Sequence, residues 1–261
     1  EIYEELGVAI NKYRQWTTRR VIKKNKITIL YFFLITSWTG MVEGMEGQKL
    51  QWVDFKTYNA TKVLPPNQVI QHALKNDLPD IYAITDFQET SSDNFFQALK
   101  RQVDDGLRLI QIREKNLTAT ELEALITRIK IILKHTNVRI IINSNISLAY
   151  KYQLDGVHLN SKQLYELKYF PKDLLVGVSC HSAKDLEVAE EKNADFAVLG
   201  SVKETLTHAN LKPIGWKKFN KLVDNSNIPI YSIGGMTNND IPSSFNFGAI
   251  GIASQRGIWT R

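Results

Sequence analysis

The chain has 261 residues, room for one large domain or two modest ones. Hydrophobic residues make up 43% and charged ones 23%, which excludes wholesale disorder, and seven Pro with fourteen Gly exclude a collagen-like or linker-like chain. Lys+Arg exceed Asp+Glu by 33 to 27, a mild basic excess that suits phosphorylated small molecules as well as nucleic acid, and the single cysteine, Cys180, excludes an internal disulfide and fits a reducing compartment.

Glu1 to Leu6 is helical in composition and stops at Gly7, a natural C-cap. The most apolar run, Ile27 to Trp38, follows the basic stretch Arg19 to Lys26 and so imitates a signal peptide. It is internal and too short to span a bilayer, and its β-branched and aromatic residues predict a buried strand. Without an export signal, the expectation is a cytoplasmic protein with no membrane role. A turn marked by Gly40, Gly44 and Gly47 leads to a second predicted strand at Leu50–Phe55. Pro65-Pro66 breaks the chain, a helix follows over Asn67–Lys75, and Asn76 to Pro79 forms the boundary of the first segment, 1–77.

From residue 78 the pattern changes. Eight apolar runs alternate with amphipathic helical stretches: Ile81–Thr85, Leu107–Ile112, Val138–Ile142, Gly156–Leu159, Leu174–Val178, Phe196–Leu199, Ile228–Ser232 and Ala249–Ala253. Short all-apolar strands between helices imply a parallel sheet covered on both faces. Eight of them predict an α/β fold, a (β/α)8 TIM barrel over 78–261, with a doubly wound open sheet as the alternative.

Active sites of such barrels lie at the C-terminal ends of the strands, so polar residues just after each run are the candidates. Arg113 and Lys115 stand two apart on an extended tail and can point to one side, as phosphate or pyrophosphate recognition needs. The bland reading is a salt bridge with Glu114. Asn143 ends the third strand; Gly234-Gly235 and Ser254 end the seventh and eighth, where backbone N–H groups often hold a phosphate. His181 follows the fifth strand, and imidazoles carry protons near neutral pH, although rim histidines are often only hydrogen-bonded. Cys180 beside it is read as a packed residue rather than a nucleophile.

The segment from Leu78 onward resembles the thiamine-phosphate synthase / thiazole tautomerase (ThiE/TenI) family. The resemblance rests on IYAITD (81–86), GLRLIQIREK (106–115), DGVHL (155–159), LVGVSCHS (175–182), ADFAVLGSVKETLTH (194–208), PIYSIGGMT (229–237) and GAIGIASQRGIW (248–259). It implies a thiazole phosphate held by the loops after strands 7 and 8. In the synthase branch it also implies a pyrimidine diphosphate held by Arg113, Lys115, Thr205 and Thr207. The synthase's two magnesium aspartates fall here on Ser144, in Asn143-Ser144-Asn145, and on Lys162-Gln163, while His208 stands where the synthase has lysine. These departures favour the tautomerase branch, with His181 as proton carrier and no metal expected for the barrel.

The first segment resembles the rear half of a MutT-type Nudix hydrolase. EIYEELGV (1–8) matches the tail of the Nudix box, with Glu1, Glu4 and Glu5 on one helix face as Mg2+ ligands; from EIYEE alone a solvated acidic helix end is the plainer reading. FFLITSWTGMVEGMEGQKLQWV (32–53) and LPPNQVI (64–70) extend the resemblance, which implies Glu46 as a further ligand or base and Asn67 as the residue reading a purine. The box's earlier Gly, Glu and Arg are absent, so the resemblance implies a domain whose first half precedes Glu1. Apolar residues such as Phe32, Phe33 and Trp52 would then be left exposed.

The expectation is therefore a Nudix 8-oxo-dGTP diphosphatase-like unit, incomplete here, fused to a tautomerase-like barrel. Its partners would be a thiazole phosphate and a purine nucleoside triphosphate, with no nucleic acid polymer; self-association is left open. Two alternatives stand beside it: a magnesium-dependent thiamine-phosphate synthase and a non-catalytic phosphate-sensing module.

Overall fold

The computed structural model describes residues 1–23, 26–57, 64–87, 92–205 and 212–259. The chain opens with a short helix, α1 (Ile2–Leu6), closed by Gly7 at φ 70°, a left-handed conformation that glycine adopts without strain. Two long antiparallel strands follow, β1 (Ala9–Lys23) and β2 (Lys26–Thr39). Helix α2 (Pro65–Lys75) begins at the predicted Pro-Pro break, with Pro in its first turn, where no amide hydrogen bond is lost.

The eight apolar runs become β3 (Ile81–Ile84), β4 (Leu109–Ile112), β5 (Arg139–Asn143), β6 (Gly156–Leu159), β7 (Leu175–Cys180), β8 (Phe196–Gly200), β9 (Ile230–Ile233) and β10 (Gly251–Ser254). They form a closed parallel barrel in which β10 returns to β3 through Ile252–Ile81 and Ala253–Tyr82. The open-sheet alternative is thereby excluded. Between them run α3 (Ser92–Asp104), α4 (Ala119–Leu133), α5 (Ile146–Lys151), α6 (Ser161–Glu166), α7 (Ala183–Glu191), α8 (Gly215–Asp224) and α9 (Ile241–Asn246).

Strand alternation divides the core in two. Ile110, Ile112, Ile140 and Ile142 pack outward with Phe95, Leu99, Ile126 and Ile129 of the helices. Tyr82, Leu109, Ile141, Phe196 and Tyr231 belong to a second cluster that fills the barrel. Trp16, Ala73 and Leu78 continue that second cluster, so β1 and α2 stopper the N-terminal end. The Tyr231 hydroxyl donates to the Pro79 carbonyl (2.6 Å), and Arg139, at the start of β5, donates to Asn76 (2.6 Å).

The first segment departs from expectation in three ways. The run at 27–38 is a strand, but one with an exposed face: Ile27, Ile29, Tyr31, Phe33 and Ile35 alternate outward, and Phe33 is 50% exposed. Its partner, β1, was not foreseen and is fixed to the barrel by polar contacts. Thr17 and Thr18 donate to the carbonyls of Ala249 and Phe245 (2.8 and 3.0 Å), and the buried Arg19 donates to Val223 (3.1 Å). Secondly, Leu50–Phe55 forms no strand; the Asp54 carboxylate accepts from the Lys56 amide (2.9 Å), a local turn that competes with sheet pairing. Thirdly, Glu1, Glu4, Glu5 and Glu46 do not gather into one cluster among the described residues. Helix α1 buries no residue, and Glu46 lies in an exposed turn. Among the described residues no group of three or more His, Cys, Asp or Glu could hold a metal. Asn67 sits on the first turn of α2, at the stoppered end of the barrel. Of the apolar residues that the half-domain reading would leave exposed, Trp52 is 77% and Phe33 50% exposed, while Phe32 is half-buried. No helix among the described residues is long and apolar enough to cross a membrane.

Candidate active site

A cavity of about 580 Å3 opens at the C-terminal ends of the strands, a volume in the usual range for small-molecule sites. Arg113, Lys115, Asn143, His181, Thr205, Gly234, Gly235 and Ser254 all line it. Thr207 lies outside the described residues, as does His208. Asn67 and the four N-terminal glutamates are not among its walls.

Arg113 is placed by the β4 backbone, whose amide is held by the Thr85 hydroxyl (3.0 Å). Glu114, its expected partner in the bland reading, turns instead to accept from the Phe87 amide (2.9 Å). Among the described residues neither Arg113 nor Lys115 forms an ion pair, while both face the cavity. Partial burial lowers the Arg113 guanidinium pKa, against the opposing pull of Glu114 and Asp86. Such a pair offers an anion forked hydrogen bonds and a point charge.

Across β3, the β9 and β10 loops form a second region. Gly234 has φ 109°, and a Cβ there would stand 2.7 Å from the Ser201 side chain; at Gly235 (φ 60°) it would stand 2.6 Å from the Glu204 carbonyl. Both positions need glycine because this loop runs directly against the one after β8. The Ser254 hydroxyl donates to the Met236 carbonyl (2.6 Å), tying the two loops together. Arg256 also lines the cavity, 3.7 Å from the buried Asp86.

His181 follows β7 and is aimed by its neighbours. Its amide is held by Asp185 (2.7 Å), whose carboxylate belongs to the Ser182 capping box of α7, and its Nδ1 donates to the Gly200 carbonyl (3.1 Å). Nε2 is then the acceptor in the neutral ring. Cys180 points away and is buried; burial raises its thiol pKa, so it is a packed residue, as the sequence suggested.

Gln111, His158 and Ser179 complete the floor, and the sequence reading gave them no role. Gln111 donates to Asn143 (3.1 Å), and the His158 ring sits between Tyr82 Oη and Ser179 Oγ (3.1 and 2.9 Å). The usable signal was a polar side chain inside an otherwise apolar barrel strand. Burial, with a smaller contribution from Arg113, pushes the His158 pKa down to about 3, so the ring is neutral.

At the ends of β5 and β6, where the resemblance implies magnesium carboxylates, Asn143, Ser144, Asn160 and Gln163 are neutral and engaged with each other, while Lys162 turns outward to Glu166 (3.5 Å). Asn143 and Asn160 both donate to Ser144 Oγ (3.1 and 3.0 Å), and Gln163 donates to the Ser144 carbonyl (2.8 Å) while capping α6. Magnesium is held by carboxylates and phosphate oxygens, so this donor set does not fit a magnesium cage. The one carboxylate among the described lining residues, Glu204, lies beyond β8.

Fold and cavity together define a closed (β/α)8 barrel whose cavity opens at the strand C-termini, the end where barrels of this kind carry their active sites. The chain belongs to the thiamine monophosphate synthase family, whose model matches residues 81–258. It is 34% identical over 179 residues to an Aquifex aeolicus protein that carries a provisional thiamine-phosphate synthase name; the match covers 68% of this chain and 96% of that protein. It is 28% identical over 187 residues to the thiamine-phosphate synthase of Fusobacterium nucleatum, covering 70% and 91%. The thiamine phosphate pyrophosphorylase of Pyrococcus furiosus superposes with a TM-score of 0.57 at 22% identity, over 69% of this chain and 90% of that one, a likeness of fold.

These relatives overturn the leading expectation of a metal-free tautomerase barrel fused to a Nudix hydrolase. The named similarities are to synthases, and the family match begins at Ile81, leaving residues 1–80 outside it.

Proposed function

We propose that the barrel, residues 78–261, joins a pyrimidine diphosphate to a thiazole phosphate to give thiamine phosphate, with residues 1–77 as an appended segment. The observation that carries this reading is one cavity with two anion-directed regions: Arg113 and Lys115 after β4, and the Gly234-Gly235 and Ser254 loops after β9 and β10. Two phosphorylated substrates need two such regions around a shared neutral floor.

In the reaction, the bond between the pyrimidine methylene and its diphosphate oxygen breaks, and pyrophosphate leaves with the electron pair. The thiazole nitrogen supplies the pair for the new C–N bond. Arg113 and Lys115 offset the charge that grows on the departing pyrophosphate, and the Thr205 end of the β8 loop borders the same space. The glycine loops hold the thiazole phosphate through backbone N–H groups, which fixes the nitrogen against the methylene. His181, with Nδ1 on the Gly200 carbonyl, offers Nε2 as an acceptor for a substrate N–H.

The test is formation of thiamine phosphate from the two substrates by the purified full chain, read by thiochrome fluorescence, with and without added magnesium. Product that disappears in Arg113→Met supports the reading. Absence of product in both conditions, with both substrates shown to be intact, overturns it.

A further inference from the structure

The barrel interior contains a polar chain with no part in the reaction as described above. Tyr82 is 0% exposed, packed edge-on against Phe196 (5.2 Å between centroids) and tilted against Tyr231 (5.6 Å). Its hydroxyl proton needs an acceptor, because a buried donor without one costs free energy. Among the described residues that acceptor is His158 Nδ1, 3.1 Å away. A neutral imidazole carries one N–H. With Nδ1 accepting, the proton is on Nε2, which then donates to Ser179 Oγ at 2.9 Å. The ring has been given space for this: a Cβ on Gly177 would stand 2.8 Å from His158 Nδ1 and 2.4 Å from Phe196.

Ser179 Oγ therefore already accepts one hydrogen bond, and its own proton is free to turn into the cavity that it lines. Were the imidazole in the other tautomer, Ser179 would have to spend that proton on Nε2.

Resting on the synthase reading, we propose that Tyr82 and His158 are positioning residues that lock Ser179 as a hydrogen-bond donor to a neutral heteroaromatic acceptor, such as a pyrimidine ring nitrogen, seated on the barrel floor. The surroundings of Ser179 favour a neutral acceptor over a phosphate: its partner ring is uncharged, and the floor is completed by Ile84, Gln111 and Val198. The phosphate-directed cations stand at β4 and beyond. Tyr82 and His158 act only through Ser179.

The experiment has two arms on the full chain. In the first, 15N spectroscopy of the imidazoles without substrate reads the His158 tautomer directly. The Nε2–H form is expected in the wild type, with both tautomers present in Tyr82→Phe; an Nδ1–H form in the wild type overturns the proposal. In the second, kcat for thiamine phosphate formation is measured for Tyr82→Phe, Ser179→Ala and the double variant. Loss of one neutral hydrogen bond corresponds to about a five- to tenfold drop in kcat for Tyr82→Phe. KM for the pyrimidine diphosphate should stay nearly constant, and in the Ser179→Ala background the same substitution should change kcat less than about twofold. An equal factor in both backgrounds would show that Tyr82 acts by packing alone and overturns the proposal. His158→Gln, whose amide can still donate, should retain more activity than His158→Leu. If the wild type makes no thiamine phosphate, the synthase reading fails, and the spectroscopic arm still decides the tautomer lock.

Discussion

Arg113→Met separates a functional cation from a structural one. The side chain is partly desolvated and, among the described residues, forms no ion pair, because Glu114 is committed to the Phe87 amide. Its burial therefore costs the ligand-free protein stability that a substrate anion would restore. Two charge-assisted bonds to a departing pyrophosphate contribute about 3–4 kcal/mol, so kcat/KM should fall by roughly two to three orders of magnitude. Unfolding free energy should meanwhile stay level or rise by up to about 1 kcal/mol, since an unpaired half-buried charge is gone. The assay pairs initial rates under limiting pyrimidine diphosphate with urea denaturation of the same preparation. A fall of more than about 1 kcal/mol in stability would refute the reasoning, because it would make the attraction to Glu114 and Asp86 a structural ion pair. Unchanged kcat/KM would equally remove Arg113 from the site.

Gly234→Ala forces a Cβ to 2.7 Å from Ser201 at φ 109°; a loss of about 1–3 kcal/mol in stability is expected, with weaker thiazole phosphate binding by calorimetry. The depressed His158 pKa has a definite sign: unfolded chains bind the proton more readily, so this contribution to stability is present above pH 6.5 and is lost as pH falls toward 3. Denaturation midpoints should decline through that window, and His158→Gln should flatten the decline. Trp16→Ala opens the stopper beneath the barrel and should cost about 3–5 kcal/mol in chemical denaturation. Ser144→Asp, at a left-handed φ of 58° that Asp tolerates well, should add magnesium stimulation of turnover beyond that of the wild type; equal metal response in both would show that the β5 end does not face the diphosphate.

The barrel was legible because every strand buries both faces and so reads as a compact apolar run, as in Gly156–Leu159, where expectation and structure coincide. The placement of the cavity residues was legible for a related reason: Arg113, Lys115, Gly234 and Gly235 follow such runs directly, and all four line the cavity. His158 and Ser179 were harder, since their importance lies in contacts between β6, β7 and β3 that no single segment reveals. The ribbon failed differently. The apolar run of β2 implies burial, yet alternation turns Leu30, Phe32 and Leu34 inward and leaves the other face in solvent. Its partner β1 is rich in polar and basic residues, of which Thr18 and Arg19 bond to the ends of α9 and α8 across more than 200 residues of sequence.

The distribution of charge around the mouth bears on how a diphosphate could be accepted. Cations stand at the β4 end, while the β5 and β6 ends are closed by amides and a hydroxyl that satisfy one another. A carboxylate introduced into that network would have to displace hydrogen bonds that also cap α6 through Gln163. The same neutral groups tie the turn after β5 to the start of α6, and under the proposed reaction the diphosphate's negative charge falls to Arg113 and Lys115. A chain with this arrangement depends more heavily on those two cations than one whose phosphate is shared with a metal. The loss expected for Arg113→Met should accordingly exceed the loss for any single neutral residue of the floor.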